Sequence, residues 1–411
     1  MIQAPRGTKD IFTAEAYLWA HIENILRDIF YRFNFSEIRT PMFENTELFT
    51  RSVGEDSDIA QKEMYTFMDK GGRSLTLKPE GTAPTVRCAI QNNLFESSPK
   101  LFYITPAFRY ERPQSGRYRE FHQCGAESFA DSTPTCDAEI ISLASQILNA
   151  LGIKGAALKI NSIGCENCRP KYNLTLKNFI ADNLENLCAD CQNRFELNPL
   201  RILDCKNDSC KKVLNNAPSV LNSLCDECKS HFEILKSLLT DLNISYEVDD
   251  KIVRGLDYYT RTVFEFIYDN NAICGGGRYD NLVAELGAKK IPAVGFGFGM
   301  ERMINAIKSQ NLFDDCQVKL DLFIGNIGEN AVKKSFLIAN TLRCAGFNIE
   351  YNNLNRSVKS QIKTACKFNA KFFTIIGDDE IKNGSVKIKN LLTKFETQID
   401  INSINKFLEE N

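Results

Sequence analysis

The chain has 411 residues, 43% of them hydrophobic and 25% charged, with a formal net charge of −2. That length exceeds what one hydrophobic core organises and predicts about two or three domains. The near-zero charge excludes a global pull toward polyanions, so any nucleic-acid site must be a local patch.

The N-terminus, Met1-Ile2-Gln3-Ala4-Pro5-Arg6, lacks the basic segment and apolar core of an export signal, and no apolar run reaches membrane-spanning length. A cytoplasmic protein with no membrane partner is expected. In chain order, Tyr17, Leu18, Ile22, Ile25, Leu26, Ile29, Phe30 and Phe33 recur at helical spacing and predict an amphipathic helix over 14–33. A short strand, Phe35 to Arg39, should stop at Pro41, which a central ladder does not tolerate. Further strand-like runs fall at Ser74 to Leu77, Leu101 to Tyr110, Phe121 to Phe129, Leu158 to Ile163, Val263 to Tyr268 and Ala293 to Phe298. Many are joined by short turns, which predicts an α+β fold: an antiparallel sheet with helices packed against it. Residues 164–240, cysteine-paired and Asn-rich, read as an inserted, mainly helical domain. From about Leu320 the pattern becomes a small α/β unit, with strands at Leu320 to Ile324, Asn348 to Tyr351 and Phe372 to Ile376. Residues 331–390 carry 11 Lys or Arg against 4 Asp or Glu, so this unit is locally basic; a solvated lysine face is the alternative to a polyanion site.

Fifteen cysteines without an export signal argue against a disulfide framework. Eight of them form four close pairs, Cys165 with Cys168, Cys188 with Cys191, Cys205 with Cys210, and Cys225 with Cys228. A two-residue gap lets both thiolates of a knuckle face one tetrahedral ion, so the pairs could supply one or two structural zinc sites. Reduced, partly buried cysteines with one redox-active pair are the alternative.

Several constellations carry chemistry. Glu80 lies on a Pro- and Gly-rich loop after a strand, where a fixed carboxylate can pair with an ammonium. Arg109 and Glu111 end an apolar strand, and Arg112 begins a basic, aromatic-bearing loop through Gln114, Arg117, Tyr118 and Arg119 that suits phosphate or single-strand contacts; a surface hairpin is the alternative. Gln123 and Glu127 share one pleat face, whereas His122 points the other way and reads as a hydrogen-bonded core group. Arg254, placed in a strand-like run and flanked by Gly255, offers a planar fork to a phosphate, with the Tyr258 and Tyr259 hydroxyls nearby. Cys274 to Tyr279 and Gly295 to Arg302 read as glycine-rich turns, and neither completes a Walker loop or dinucleotide fingerprint. Arg302, at a helix start, could reach a terminal phosphate. No serine or cysteine nucleophile with a suitable base shows itself, so electrostatic catalysis is expected.

Taken in order, Arg6-Gly-Thr-Lys-Asp10, the segment ending near Pro41, Phe108 to Glu127, and Gly295 to Arg302 resemble the motifs of the class II aminoacyl-tRNA synthetases. Arg254-Gly-Leu-Asp-Tyr-Tyr259 and Cys274-Gly-Gly-Gly-Arg-Tyr-Asp280 are similar to signatures of the histidyl-tRNA synthetase family. The resemblance spans nearly the whole chain. It implies a class II synthetase sheet flanked by helices in a catalytic domain of residues 1–163 and 241–317, the Cys-rich insertion at 164–240, and an anticodon-binding domain at 318–411. The implied reaction is formation of histidyl-adenylate from L-histidine and ATP with release of pyrophosphate, then transfer to the 3′ end of histidine tRNA. Carried over, Glu80, Gly81, Thr82, Gln123, Glu127, Tyr258 and Tyr259 would bind histidine. Arg109 and Arg254 would be catalytic at the α-phosphate, Arg109, Glu111 and Arg302 would bind ATP with Mg2+, and Arg112 and Gln114 would meet the tRNA acceptor end. A homodimer is implied as well, with the first motif at the subunit contact. The resemblance leaves open whether the insertion holds metal. A regulatory paralogue that only senses histidine is opposed by the presence of Arg109, Arg254, Arg302 and the tail. A zinc-stabilised nucleic-acid module would leave the pocket residues without a role.

Overall fold

The computed structural model describes residues 1–54, 59–205, 207–313, 319–354 and 356–411. The chain divides into two compact units, Met1–Asp314 and Asp315–Asn411.

In the first unit, helix Ala14–Arg32 turns Leu18, Trp19, Ile22, Leu26, Ile29 and Phe30 inward. Phe30 stacks on Phe102 of the sheet with ring centroids 4.3 Å apart, while Tyr17, though in helical register, stays exposed. The expected strand at 35–39 shrinks to Ser36–Glu37, which pairs in parallel with the start of strand Lys100–Phe108. Six central strands run antiparallel in the spatial order Lys100–Phe108, Glu120–Phe129, Ala293–Gly299, Asn271–Arg278, Thr260–Tyr268 and Ala157–Ser162. The far edge is Tyr246–Val248, parallel to Ala157–Ser162, so residues 163–245 leave and re-enter the sheet between two neighbouring parallel strands. Ser74–Leu77 is a strand, as read, but it belongs to a separate three-stranded sheet with Phe43–Asn45 and Tyr65–Met68.

Two expectations are corrected. Cys274 to Tyr279 is not a turn, for Asn271–Arg278 is a central strand; Gly295 to Gly299 is not a turn either but part of strand Ala293–Gly299, in agreement with the strand-like run at Ala293 to Phe298. Glycine punctuates loops in most sequences, but here bare backbone is needed because polar side chains lie across the sheet. Arg254 is not in a strand either; it sits in the loop that precedes Thr260–Tyr268.

Behind the sheet, helix Pro134–Ala150 carries the fully buried Asp137, which accepts from Arg278 Nε at 2.9 Å and pairs with His231 Nε2 at 2.8 Å. Arg278, fully buried too, also donates to the Asp131 and Thr133 carbonyls. This buried pair satisfies its polar atoms, as an interior charge requires. The inserted segment has helices Arg169–Ala181, Ala189–Leu197, Asp208–Leu214 and Asp226–Asp241 joined by 3-10 turns. Tyr172, Leu176, Ile180, Ile202 and Leu214 give it a small core of its own.

The second unit has a five-stranded sheet in the order Ile349–Tyr351, Leu322–Asn326, Phe372–Ile376, Ser385–Asn390, Glu396–Asp400, the first three parallel and the rest antiparallel. Among the described residues no helix is long and apolar enough to cross a membrane.

Candidate active site

The sheet register decides where the polar side chains go. Glu127 lies opposite Gly295, and Gly275 lies between Glu265 on one side and Gly297 on the other. A Cβ on Gly295 would fall 1.7 Å from Glu127 Oε2, and one on Gly275 would fall 2.2 Å from Arg254 Nη2. Only glycine leaves the backbone open enough for a carboxylate and a guanidinium to lie flat upon it.

At one end of this floor is a buried polar cluster. Glu127 Oε1 accepts from Thr82 Oγ1 at 2.8 Å and from Tyr103 OH at 3.1 Å, and Oε2 accepts from Tyr279 OH. Burial pushes the Glu127 carboxyl up to about 8, against the opposing pull of the Tyr279 and Thr82 hydroxyls. Glu80 accepts the backbone N–H groups of Thr82 and Ala83 at 2.8 and 2.7 Å and so caps helix Thr82–Gln91. Burial raises its carboxyl too, with those N–H donors drawing it back. Gln123 Oε1 accepts from Gly81 N at 2.9 Å, which places Gln123 and Glu127 on one face over Gly81 and Thr82, as their spacing requires. Tyr258 and Tyr259 close the cluster, with ring centroids 4.7 Å apart and Tyr279 at 5.4 Å from Tyr258. His122 faces away, its Nδ1 3.0 Å from Glu301 and its ring edge-on to Trp19.

The other end is a cavity of about 250 Å3 lined by Arg109, Arg117, Arg254 and Arg302 together with Glu111 and Glu265. Arg109 Nε donates to the Pro79 carbonyl at 2.8 Å, and its guanidinium sits 5.4 Å from the Phe121 ring centroid. Arg254 pairs with Glu265 and lies 5.8 Å from the Tyr259 ring centroid, while its buried Nε has no hydrogen-bond partner among the described residues. Burial opposes the Arg254 charge, but the Glu265 carboxylate outweighs it and holds the guanidinium firmly protonated. Arg302, in the first turn of helix Met300–Ser309, is held by the Ala272 carbonyl at 2.5 Å. Its acidity is raised by burial and by neighbouring Arg117 and Arg109. Several cations facing one cavity, each fixed by protein acceptors, make a site built for a polyanion.

Arg112 and Gln114 are exposed at the tip of a hairpin, closed by Gln114 N to Arg117 O at 3.1 Å, and they lie outside the cavity lining. Sequence reasoning missed Glu265, Tyr103 and Tyr279 as pocket members and placed Arg117 only in a basic loop. Tyr279 stands inside the Cys274 to Asp280 signature; Glu265 sits between buried Phe264 and Phe266, where strand alternation sends its side chain to the opposite face from theirs.

The eight paired cysteines resolve into two nested groups. Cys165 and Cys168 meet Cys225 and Cys228, and Cys188 and Cys191 meet Cys205 and Cys210, with all sulfurs of a group within 4.8 Å of one another. Four thiolates at that spacing match the donor set of a closed tetrahedral zinc site.

An antiparallel sheet with a glycine floor, an arginine-lined polyanion cavity and a separate α/β unit together define a class II aminoacyl-tRNA synthetase. The histidyl-tRNA synthetase family model matches residues 7–166 and 175–303, and an anticodon binding domain model matches 321–411. By that match, the chain belongs to the histidyl-tRNA synthetase family. It is 50% identical over 408 residues to the histidine–tRNA ligase of Clostridium perfringens (strain ATCC 13124), covering 98% of each chain. To the histidine–tRNA ligase of Caldanaerobacter subterraneus subsp. tengcongensis it is 48% identical over 415 residues, covering all of both. Its fold matches the crystal structure of apo S. aureus histidyl-tRNA synthetase with a TM-score of 0.85 at 36% identity over all of both chains.

Proposed function

We propose that the chain ligates L-histidine to histidine tRNA by adenylation and transfer, with the roles of its side chains as follows. The observation that carries this reading is that a buried, hydroxyl-lined carboxylate and an arginine-lined cavity share one glycine floor, with Gln123 both lining the cavity and bonded to Gly81 of the cluster. Glu80, Gly81, Thr82 and Gln123 receive the ammonium end of histidine; each carboxylate oxygen of Glu80 retains a lone pair beyond the one used by its backbone donor. Glu127 and Tyr259 read the two imidazole nitrogens, and Tyr258 lines the same pocket. A pocket made of polar partners rejects analogues that would leave those partners unpaired.

The histidine carboxylate attacks the α-phosphorus of ATP; the bond to the bridging oxygen breaks and pyrophosphate leaves. Arg109 and Arg254 stabilise charge on the α-phosphate, and Arg302 holds the γ-phosphate, so catalysis is positioning plus electrostatics. In the second step a hydroxyl of the tRNA's terminal ribose attacks the activated carbonyl and AMP leaves. Glu111 and Glu265, which line the cavity, would be the oxygen donors for a magnesium ion on the ATP phosphates, which would neutralise charge on the departing pyrophosphate. Arg112 and Gln114 meet the acceptor end from their exposed hairpin, and residues 318–411 read the anticodon.

The catalytic domain comprises residues 1–163 and 241–317, with 164–240 inserted. Each four-cysteine group holds one structural zinc. The functional unit is a cytoplasmic homodimer: Phe43 and Phe67, half-exposed and 6.4 Å apart edge-to-face, form with exposed Met42 and Met68 an apolar face near the first motif. Pyrophosphate exchange into ATP, without tRNA and across a panel of amino acids, tests the reading. Exchange with histidine alone is expected; none from folded protein would leave a histidine-sensing paralogue instead.

A further inference from the structure

The inserted segment does more than decorate the sheet. Helix Ala189–Leu197 and the 3-10 turn Pro199–Asp204 form a compact loop whose base is the second thiolate group: Cys188 caps the helix, Cys191 lies in its first turn, Cys205 ends the 3-10 turn, and Cys210 follows in the next helix. Cys188 and Cys205 sulfurs are 3.8 Å apart, and Cys188 N donates to Cys210 Sγ at 3.2 Å. At the apex, Asn198 Nδ2 donates to Asp257 Oδ1 at 2.8 Å, and Arg201 Nη1 donates to the backbone carbonyl of Arg254 at 2.9 Å. Both bonds reach the loop that carries Arg254 into the polyanion cavity. That loop is not solidly backed, because a cavity of about 240 Å3 lined by Arg169, Asn198, Arg201, Arg254 and Asp257 separates it from the insertion. Side-chain bonds spanning a void weigh heavily on where the loop rests.

We propose that the Cys188/Cys191/Cys205/Cys210 group, when it holds its metal, is a clasp that keeps Asn198 and Arg201 as positioning residues against the Arg254 loop, so that adenylation depends on a metal whose ligands touch no substrate. The inference rests on the zinc reading and on the role given to Arg254. Zinc closes the base of the loop, the closed base fixes the apex, and the apex fixes a carbonyl adjoining the catalytic side chain. Misplacing a charge-stabilising group by about 1 Å costs on the order of a hundredfold in rate, so a loosened loop should slow chemistry more than it weakens binding.

The test uses the full chain with zinc as the added metal. Cys205→Ser should lose one bound ion, accelerate amide exchange of residues 254–257, and lower kcat for pyrophosphate exchange by about tenfold or more, with histidine affinity within about twofold of the parent. Arg201→Met should reproduce the exchange and kcat effects with its metal content intact, and Arg201→Lys should restore part of the rate. Cys225→Ser, in the other group, should lose an ion while leaving 254–257 protected. Loss of metal in Cys205→Ser with 254–257 protection and kcat unchanged would overturn the clasp. A parent chain that binds no zinc would overturn it together with the zinc reading. An Arg201→Met protein with unchanged kcat would overturn the positioning role alone.

Discussion

Replacing Gly275 with alanine isolates what the glycine floor does. The added methyl would stand 2.2 Å from Arg254 Nη2, 2.3 Å from Nη1 and 2.4 Å from Cζ, with no other atom closer. Ordinary contact begins near 3.4 Å, so the guanidinium must retreat by about 1.2 Å, and it is the tip of a flexible side chain. The fold therefore survives at an overpacking cost of about 1–3 kcal/mol. A displacement of that size at a charge-stabilising group lowers the rate on the order of a hundredfold, or about 2.7 kcal/mol of transition-state stabilisation. Pyrophosphate exchange at saturating histidine and ATP reads the rate, and thermal unfolding reads the fold. The same substitution in an Arg254→Ala background should cost little further, because the group it displaces is gone. Additive losses in that cycle, or a full rate from well-folded Gly275→Ala protein, would refute the argument.

Glu127 links histidine binding to protons. Its folded value of about 8 lies above the ordinary 4.5, so between these values the folded chain holds a proton that the unfolded chain has released. Stability from this group is present in full below about pH 4.5 and is lost as pH rises through 8. An imidazole N–H favours the ionised form, so histidine binding near pH 7.5 should expel most of one proton, seen by calorimetry in buffers of different protonation enthalpy; zero release would contradict the assignment. Asp137→Ala leaves the buried Arg278 with only the Asp280 carboxylate, 3.2 Å from its Nη1, and should destabilise by about 3 kcal/mol in denaturant unfolding, the low end for a broken buried pair, whereas an unchanged midpoint would show that Asp137 is no structural anchor. A Phe43→Lys, Phe67→Lys chain should sediment as a monomer if the apolar face is the dimer contact; a dimer of unaltered affinity would place the contact elsewhere.

Strands rich in β-branched and aromatic residues were legible: Val263 to Tyr268 falls wholly within Thr260–Tyr268. The glycine strand Asn271–Arg278 was not, since its strand character comes from Arg254 and the flanking strands rather than from its own residues. The same holds for Arg254, whose placement depends on a loop whose contacts are made some 50 residues away by Arg201. Cysteine pairs were visible as spacing, but their nesting, first with last and second with third, is a tertiary fact that no spacing encodes. Ser385–Asn390 and Glu396–Asp400 were passed over although Val386 and Ile388 alternate with lysines; the lysines drew attention to charge and away from period.

Ala157–Ser162 and Tyr246–Val248 are adjacent and parallel, and parallel neighbours cannot be joined by a hairpin; the chain must cross from one end of the sheet to the other, typically through a helix. Helix Asp226–Asp241, packed on Pro134–Ala150, makes that return journey. The inserted segment is thus topologically two things: an obligatory crossover at its C-terminal end and an expandable excursion before it. A shortened chain that drops the excursion but keeps the 226–241 helix can still seat its last edge strand, while one joined directly from 162 to 246 has no route to the same sheet.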